Sequence, residues 1–126
     1  MRFDFENLEV YQRGLELVDD AFGIVRSLPR EIRFSVGDQL IRAALSITNN
    51  IAEGSGKDSK RDKARYYGMA LDSTRECAAI VTVLLRQELL SRDGYQRVRA
   101  MIWKVSSMLF RLREATVPRY TVHGSR

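Results

Sequence analysis

Nucleophilic, acid–base and metal chemistry have few residues to draw on in this chain, which contains one cysteine and one histidine. Cys77 falls on an apolar helical stripe, where a thiol is normally buried and inert. His123 sits near the C-terminus with no carboxylate arranged around it. A single cysteine excludes an internal disulfide and a multi-cysteine zinc site. A single histidine excludes a triple-histidine centre and the paired Glu-x-x-His motifs of di-iron bundles. Asp19 and Asp20 are adjacent carboxylates of the kind that solvate an outward helical surface. Gly54-Ser-Gly-Lys57 carries a Gly-x-Gly-Lys pattern, but it follows a predicted helix, whereas a phosphate-cradling loop precedes one. On these grounds no catalytic residue, cofactor or metal ligand is assigned.

Charge offers more. The formal net charge is +5 and is unevenly spread, with residues 86–126 holding nine basic and three acidic groups. Lys57, Lys60, Arg61 and Lys63 gather where a helix starts, just before Arg65, Tyr66 and Tyr67. Free amides and the helix dipole make such a start a phosphate site, although a charged, capped loop reads the same way. Arg97, Lys104 and Arg111 recur every seven residues, and no acidic residue occurs between Asp93 and Glu114. These seven cations are the candidate nucleic-acid contacts. In a ring of identical subunits, their repetition would form an extended positive belt. A merely solvated basic face is the competing reading.

A polar stripe is the second candidate. Gln39, Arg42, Ser46, Asn49 and Glu53 step by 3, 4, 3 and 4, with Asn50 beside Asn49. Amides and hydroxyls outnumber the Lys and Glu of an ordinary exposed face. The stripe is therefore a solvated face, a covered seam between helices or subunits, or a ligand site. Glu53 lies at the negative end of its helix and calls for a cationic partner: Arg42 of a neighbouring subunit, Arg65 or Lys57. Glu76 is a second acceptor for Arg42, and a two-point arginine–carboxylate contact would fix helix register. The candidate polar network is thus Arg42, Ser46, Asn50, Glu53 and Glu76.

The elements that must position these residues are helices. The chain has 126 residues, 44% hydrophobic and 29% charged, the size and composition of one globular domain. No run of 18 apolar residues occurs and no signal-peptide stretch opens the sequence, so the expected setting is the cytoplasm, without a membrane span. Leu8, Tyr11, Leu15, Val18, Phe22 and Val25 form a heptad seam on the first helix, capped by Asn7 and stopped by Pro29. Val10, Leu17 and Ile24 repeat on an adjacent face, and the extra width predicts a second contact and hence self-association. Gly14 either weakens this helix or admits a neighbour closely. The second helix is expected from a Ser35–Asp38 capping box to a stop at Gly54-Ser-Gly56, the third from a Ser59–Asp62 box, and the fourth from an Asp93 cap to Pro118. Short connections between long helices predict an all-α, antiparallel, up-down-up-down four-helix bundle over 1–117 that oligomerises, followed by a flexible tail over 118–126.

The segment Ser46-Ile-Thr-Asn-Asn-Ile-Ala-Glu-Gly54 resembles the Ser-Ile-x-x-Asn-Ile-Ala-Glu-Gly signature of the four-helix-bundle proteins named for intervening sequences in bacterial 23S ribosomal RNA genes. Phe5-Glu-Asn-Leu-Glu-Val-Tyr-Gln12 is similar to that family's N-terminal motif, and Gln39-Leu-Ile-Arg-Ala-Ala44 to its approach to the signature. Arg65 to Ala70, then Ser73 and Glu76, resemble its Ala-x-Gly-Ser-x-x-Glu element, with Asp72 in place of the glycine. The resemblance spans about residues 3–115. It implies a bundle that forms a ring-shaped homo-oligomer, often a pentamer. The accessory protein of diversity-generating retroelements is a similar bundle that binds nucleic acid and a reverse transcriptase. The functional reading is a non-enzymatic, homo-oligomeric module binding RNA or DNA through its basic surface, with a protein partner as a further expectation. Two alternatives stand beside it: a protein–protein scaffold with no nucleic-acid role, and a small-molecule enzyme using the Asn50/Glu53 cluster.

Overall fold

The computed structural model describes residues 1–117, and within them the chain is helical with no strand. A 3-10 turn over Asp4–Asn7 leads into α1 (Glu9–Ser27). A short helical turn, Arg30–Ile32, and a π-helical turn, Arg33–Gly37, run without a break into α2 (Asp38–Ser55). The long helices α3 (Lys60–Arg86) and α4 (Arg92–Thr116) complete the set. The expected tail over 118–126, including His123, lies outside the described residues. Among the described residues no helix is long and apolar enough to cross a membrane.

The extensive contacts run round a ring: α1 on α2, α2 on α3, α3 on α4, and α4 back on α1. Contacting pairs climb on one helix as they fall on the next. Gly37 meets Val25 and Leu28, while Gly14 meets Thr48 and Ile51. Ser46 pairs with Ser73, and Gly54 lies against Tyr66 and Tyr67. Gly68 meets Arg113, and Thr82 reaches Tyr95. The shared core includes Leu17, Leu40, Ile47, Ile51, Val81, Leu84, Val105 and Leu109.

The inward face of α1 is shifted from the heptad expectation, whose Leu8, Tyr11, Val18 and Val25 pack half-buried at the edge of the core. Val10, Gly14, Leu17 and Ala21 are buried, while Leu15 and Phe22 are exposed. Both seams repeat every seven residues, so period does not choose between them. Small side chains do: a Cβ on Gly14 would come within 3.0 Å of Thr48 Cγ2, so α2 approaches where α1 has no side chain. Of the expected seam, Leu15 and Phe22 are the residues left exposed.

Three helix starts also shift. Asn7 closes the 3-10 turn and Leu8 takes the N-cap position, with no side-chain cap. Ser35 caps nothing: its hydroxyl bonds back to the Glu31 and Ile32 carbonyls, because Pro29 has already started the helix with φ −55°. Ser91, not Asp93, caps α4, accepting the Gly94 amide at 3.0 Å. At α3 the expectation holds, with Ser59 accepting the Asp62 amide at 3.0 Å. Arg33 turns back to donate to the carbonyls of Leu28 and Arg26, satisfying the end of α1. α3 closes with a Schellman turn in which the Leu89 amide bonds the Leu84 carbonyl and the Glu88 amide bonds that of Leu85. Glu88 occupies the left-handed position at φ 59°, where glycine is the usual residue.

α2 ends at Ser55 with Gly56 as its C-cap, inside the expected Gly54-Ser-Gly56 stop, and Gly54 has a further role. It packs the helix, since a Cβ there would stand 2.9 Å from Tyr66 Cβ and from the Tyr67 ring. Gly54→Ala gains about 1 kcal/mol of helix propensity but forces a buried tyrosine and the α3 backbone to move. We expect a net loss of about 1–2 kcal/mol, read as a lower urea midpoint at unchanged m-value.

Candidate nucleic-acid interface

The two motifs on α2 and α3 meet at a polar contact. Asn50 donates to the Ser46 carbonyl at 2.9 Å and to its hydroxyl at 3.0 Å. The Ser46 and Ser73 hydroxyls lie 2.8 Å apart in a hydrogen bond between the helices. Ser73 also reaches the Met69 carbonyl. Ser46 and Asn50 thus come together as a seam between helices, and the partner is Ser73, which sequence reasoning had not placed in the network. Glu53 turns outward and pairs with Lys57 at 3.6 Å, one turn on. Arg42 and Glu76 are exposed, and among the described residues neither makes an ion pair within the chain.

The N-terminal motif is a local clasp. Phe5 stands edge-on to Tyr11 at 4.8 Å between ring centroids, and Gln12 donates to the Glu6 carbonyl. The Glu6 carboxylate accepts the Phe3 amide at 2.7 Å. This clasp lies against the end of α2 at Ala52, Glu53, Ser55 and Gly56.

Of the four cations at the start of α3, two have intramolecular work. Lys63 donates to the Ser55 carbonyl at 2.7 Å, closing the end of α2. Lys57 lies over the Tyr66 ring at 5.0 Å, and Arg65 lies over the same ring at 4.7 Å. Lys60 and Arg61 are exposed. Cys77 is fully buried, and burial with Glu76 nearby pushes its thiol up to about 12, so no thiolate nucleophile exists near neutral pH.

The seven-residue stripe on α4 divides. Arg97 borders a shallow groove with Asp19, Asp20, Ser27 and Ser91, and its charge is opposed there. Burial, then Asp19 and Glu16, raise the Asp20 carboxyl above its usual value, while Arg97 pulls it down. A raised carboxyl costs stability above its unfolded-state value, and the cost disappears once both states are protonated. Asp20→Asn should therefore raise Tm at pH 7, with the gain shrinking as pH falls through the carboxylate range; an equal gain at pH 3 would contradict this. Lys104 is exposed in mid-helix.

Arg111 belongs elsewhere. Between α3 and α4 runs a groove of about 540 Å³ lined by Gly68, Asp72, Arg75, Trp103, Phe110, Arg111 and Arg113, with further residues between them. Arg113 also borders a second hollow, lined by Arg61, Asp62 and Arg65. A Cβ on Gly68 would sit 3.5 Å from Arg113 Nε: the guanidinium lies across bare backbone. Three arginines line the groove against one aspartate, and Arg61 and Arg65 line the second hollow with Asp62. Trp103 is 68% exposed and Phe110 56%, large values for such rings. Asp72, where the family motif has glycine, is the acid inside the groove.

Sequence reasoning missed Arg75, Trp103 and Phe110 here. The available signal was the step of 4, 3, 4, 3 through Arg61, Arg65, Gly68, Asp72 and Arg75, matched by Trp103 and Phe110 one heptad apart. The family described as 23S rRNA-intervening sequence protein matches residues 6–111. The chain belongs to that family. A solved structure also matches, with a TM-score of 0.78 at 23% identity, covering 83% of this chain and 95% of the other. That protein, from Bacteroides thetaiotaomicron, is described as having unknown function and as belonging to the S23 ribosomal protein family. The likeness establishes the shared helical fold. No curated protein matches the chain.

Proposed function

We propose that this intervening-sequence protein is a non-enzymatic, cytoplasmic, homo-oligomeric binding module. Its four helices form an antiparallel up-down-up-down bundle that docks RNA or DNA on the basic α3–α4 face as an accessory to another protein. The observation that carries this reading is three arginines and two exposed aromatic rings in one groove. Arginine supplies bidentate phosphate contacts, and identical subunits multiply them. Self-association is assigned to the opposite side of the ring of helices, where Leu15 and Phe22 on α1 and Leu45 on α2 are exposed, with Phe34 on the turn between. In this arrangement the apolar face is covered and the basic face repeats around the assembly. A pentamer fits the family resemblance. Asn50 is engaged by Ser46 and Glu53 by Lys57, which supports a structural role over catalysis at the signature.

Filter binding of a labelled RNA and of a DNA across a salt series tests the reading. Affinity should fall linearly on logarithmic axes, with a slope of about −0.7 to −0.9 per phosphate contacted. Absent binding at low salt, or a flat response, would reject a nucleic-acid role and leave a protein-binding scaffold.

A further inference from the structure

The α3–α4 groove has features that phosphate attraction alone does not need. Trp103 and Phe110 stand on one helix face, seven residues or about 10.5 Å apart along the axis. That separation is roughly three base steps at 3.4 Å each. Both rings border the same groove, whose floor at Gly68 is overlain by the Arg113 guanidinium. Arg75 on one wall and Arg111 and Arg113 on the other set cations beside the rings. A duplex buries its base faces in its own stack and presents phosphates and groove edges. A single strand offers base faces to aromatic rings and phosphates to flanking cations.

We infer that the α3–α4 groove is a single-strand site, in which unpaired bases stack on Trp103 and Phe110 while Arg75, Arg111 and Arg113 hold the phosphates. The inference rests on the nucleic-acid reading above and narrows it from nucleic acid in general to unpaired strand. Charge argues against a symmetric contact between two copies here, since it would set one group of arginines against another. Asp72 lies midway along the groove and disfavours phosphate at that point, leaving the arginines on either side as the backbone contacts. Stacking is sequence-tolerant, so the site discriminates strandedness and not base identity.

Trp103 is the single tryptophan of the chain, so its fluorescence reports this site alone. The full-length protein is titrated with a dye-labelled single-stranded oligonucleotide and, separately, with the matching duplex. Anisotropy of the dye follows binding, and tryptophan emission follows stacking. Single strand should bind with strong quenching, and duplex should bind more weakly without it. Trp103→Ala and Phe110→Ala change exposed rings and leave the core intact. Each should weaken single-strand binding by about 5-fold to 150-fold, the span measured for one stacked base, and leave duplex affinity unchanged. Single-strand binding without quenching, and with affinity unmoved by either variant, overturns the inference but leaves the nucleic-acid reading intact. No binding of either strand form overturns both. Emission that shifts to the blue with protein concentration alone shows a second copy over Trp103 and also overturns it.

Discussion

Replacing Arg75, Arg111 and Arg113 together with glutamine should collapse nucleic-acid binding while leaving the bundle folded. All three are exposed and line one groove, so their removal leaves no buried charge unpaired. Losing three phosphate contacts lowers the salt slope by about 2 for a single strand. The same relation puts the affinity loss on the order of 500-fold at 50 mM salt and 30-fold at 200 mM. Salt dependence separates this from a stacking defect, because Trp103→Ala shifts affinity at every salt concentration without changing the slope. A control triple at Arg97, Arg99 and Arg86 removes the same formal charge from exposed positions outside the groove lining. It should have a markedly smaller effect. Equal losses from both triples would mean that diffuse charge is read, and the groove would lose its special role. Both triples should stay folded with a single cooperative unfolding transition, since exposed charges each contribute about 0–1 kcal/mol.

The largest stability effect is expected inside the signature. Ile51 is fully buried, and its Cδ1 lies 3.9 Å from the position a Cβ on Gly14 would occupy. It fills the space where α1 closes on α2. Ile51→Ala removes three carbons and leaves a cavity that the glycine opposite cannot fill. The cost is about 2–5 kcal/mol. Against a total of about 5–15 kcal/mol, that is a large fraction of the stability. Tm should fall by on the order of 10 °C for a chain of this length. Glu53→Gln, two positions on, breaks only the exposed 3.6 Å contact with Lys57 and should shift Tm little. If Ile51→Ala and Glu53→Gln were equally harmful, Glu53 would hold a partner in the assembly that the single chain does not contain.

Helix type and number were legible because the apolar periodicity is long and unbroken, and because Pro29 and the Ser59 cap leave little choice. Seam choice on α1 was not. Val10–Leu17 and Leu15–Phe22 share a period, and the decision lies in what α2 places opposite Gly14. Local capping patterns also misled where a stronger signal lay a few residues upstream. Pro29 pre-empted Ser35, and Ser91 pre-empted Asp93. At the Ser46–Asn50 signature a polar contact was foreseen, but with Arg42 and Glu76 as its anchors. Hydroxyl-to-hydroxyl contact with Ser73 needs only small side chains between closely packed helices, which the charged pair would have held apart. The groove was the least legible feature. Arg61 reads in the sequence as a nucleic-acid candidate and Arg65 as a partner for Glu53, but Arg75 gains meaning only when α3 is laid against α4, which puts Trp103 and Phe110 in the same groove. Exposed rings on a helix that already has a full core seam were the overlooked clue.

Size-exclusion chromatography with light scattering, run on the protein mixed with a single-stranded oligonucleotide at low salt, tests the account most directly. It predicts one peak whose protein mass is two or more times 14.5 kDa and which carries the oligonucleotide. A particle of 14.5 kDa eluting apart from the oligonucleotide would contradict it.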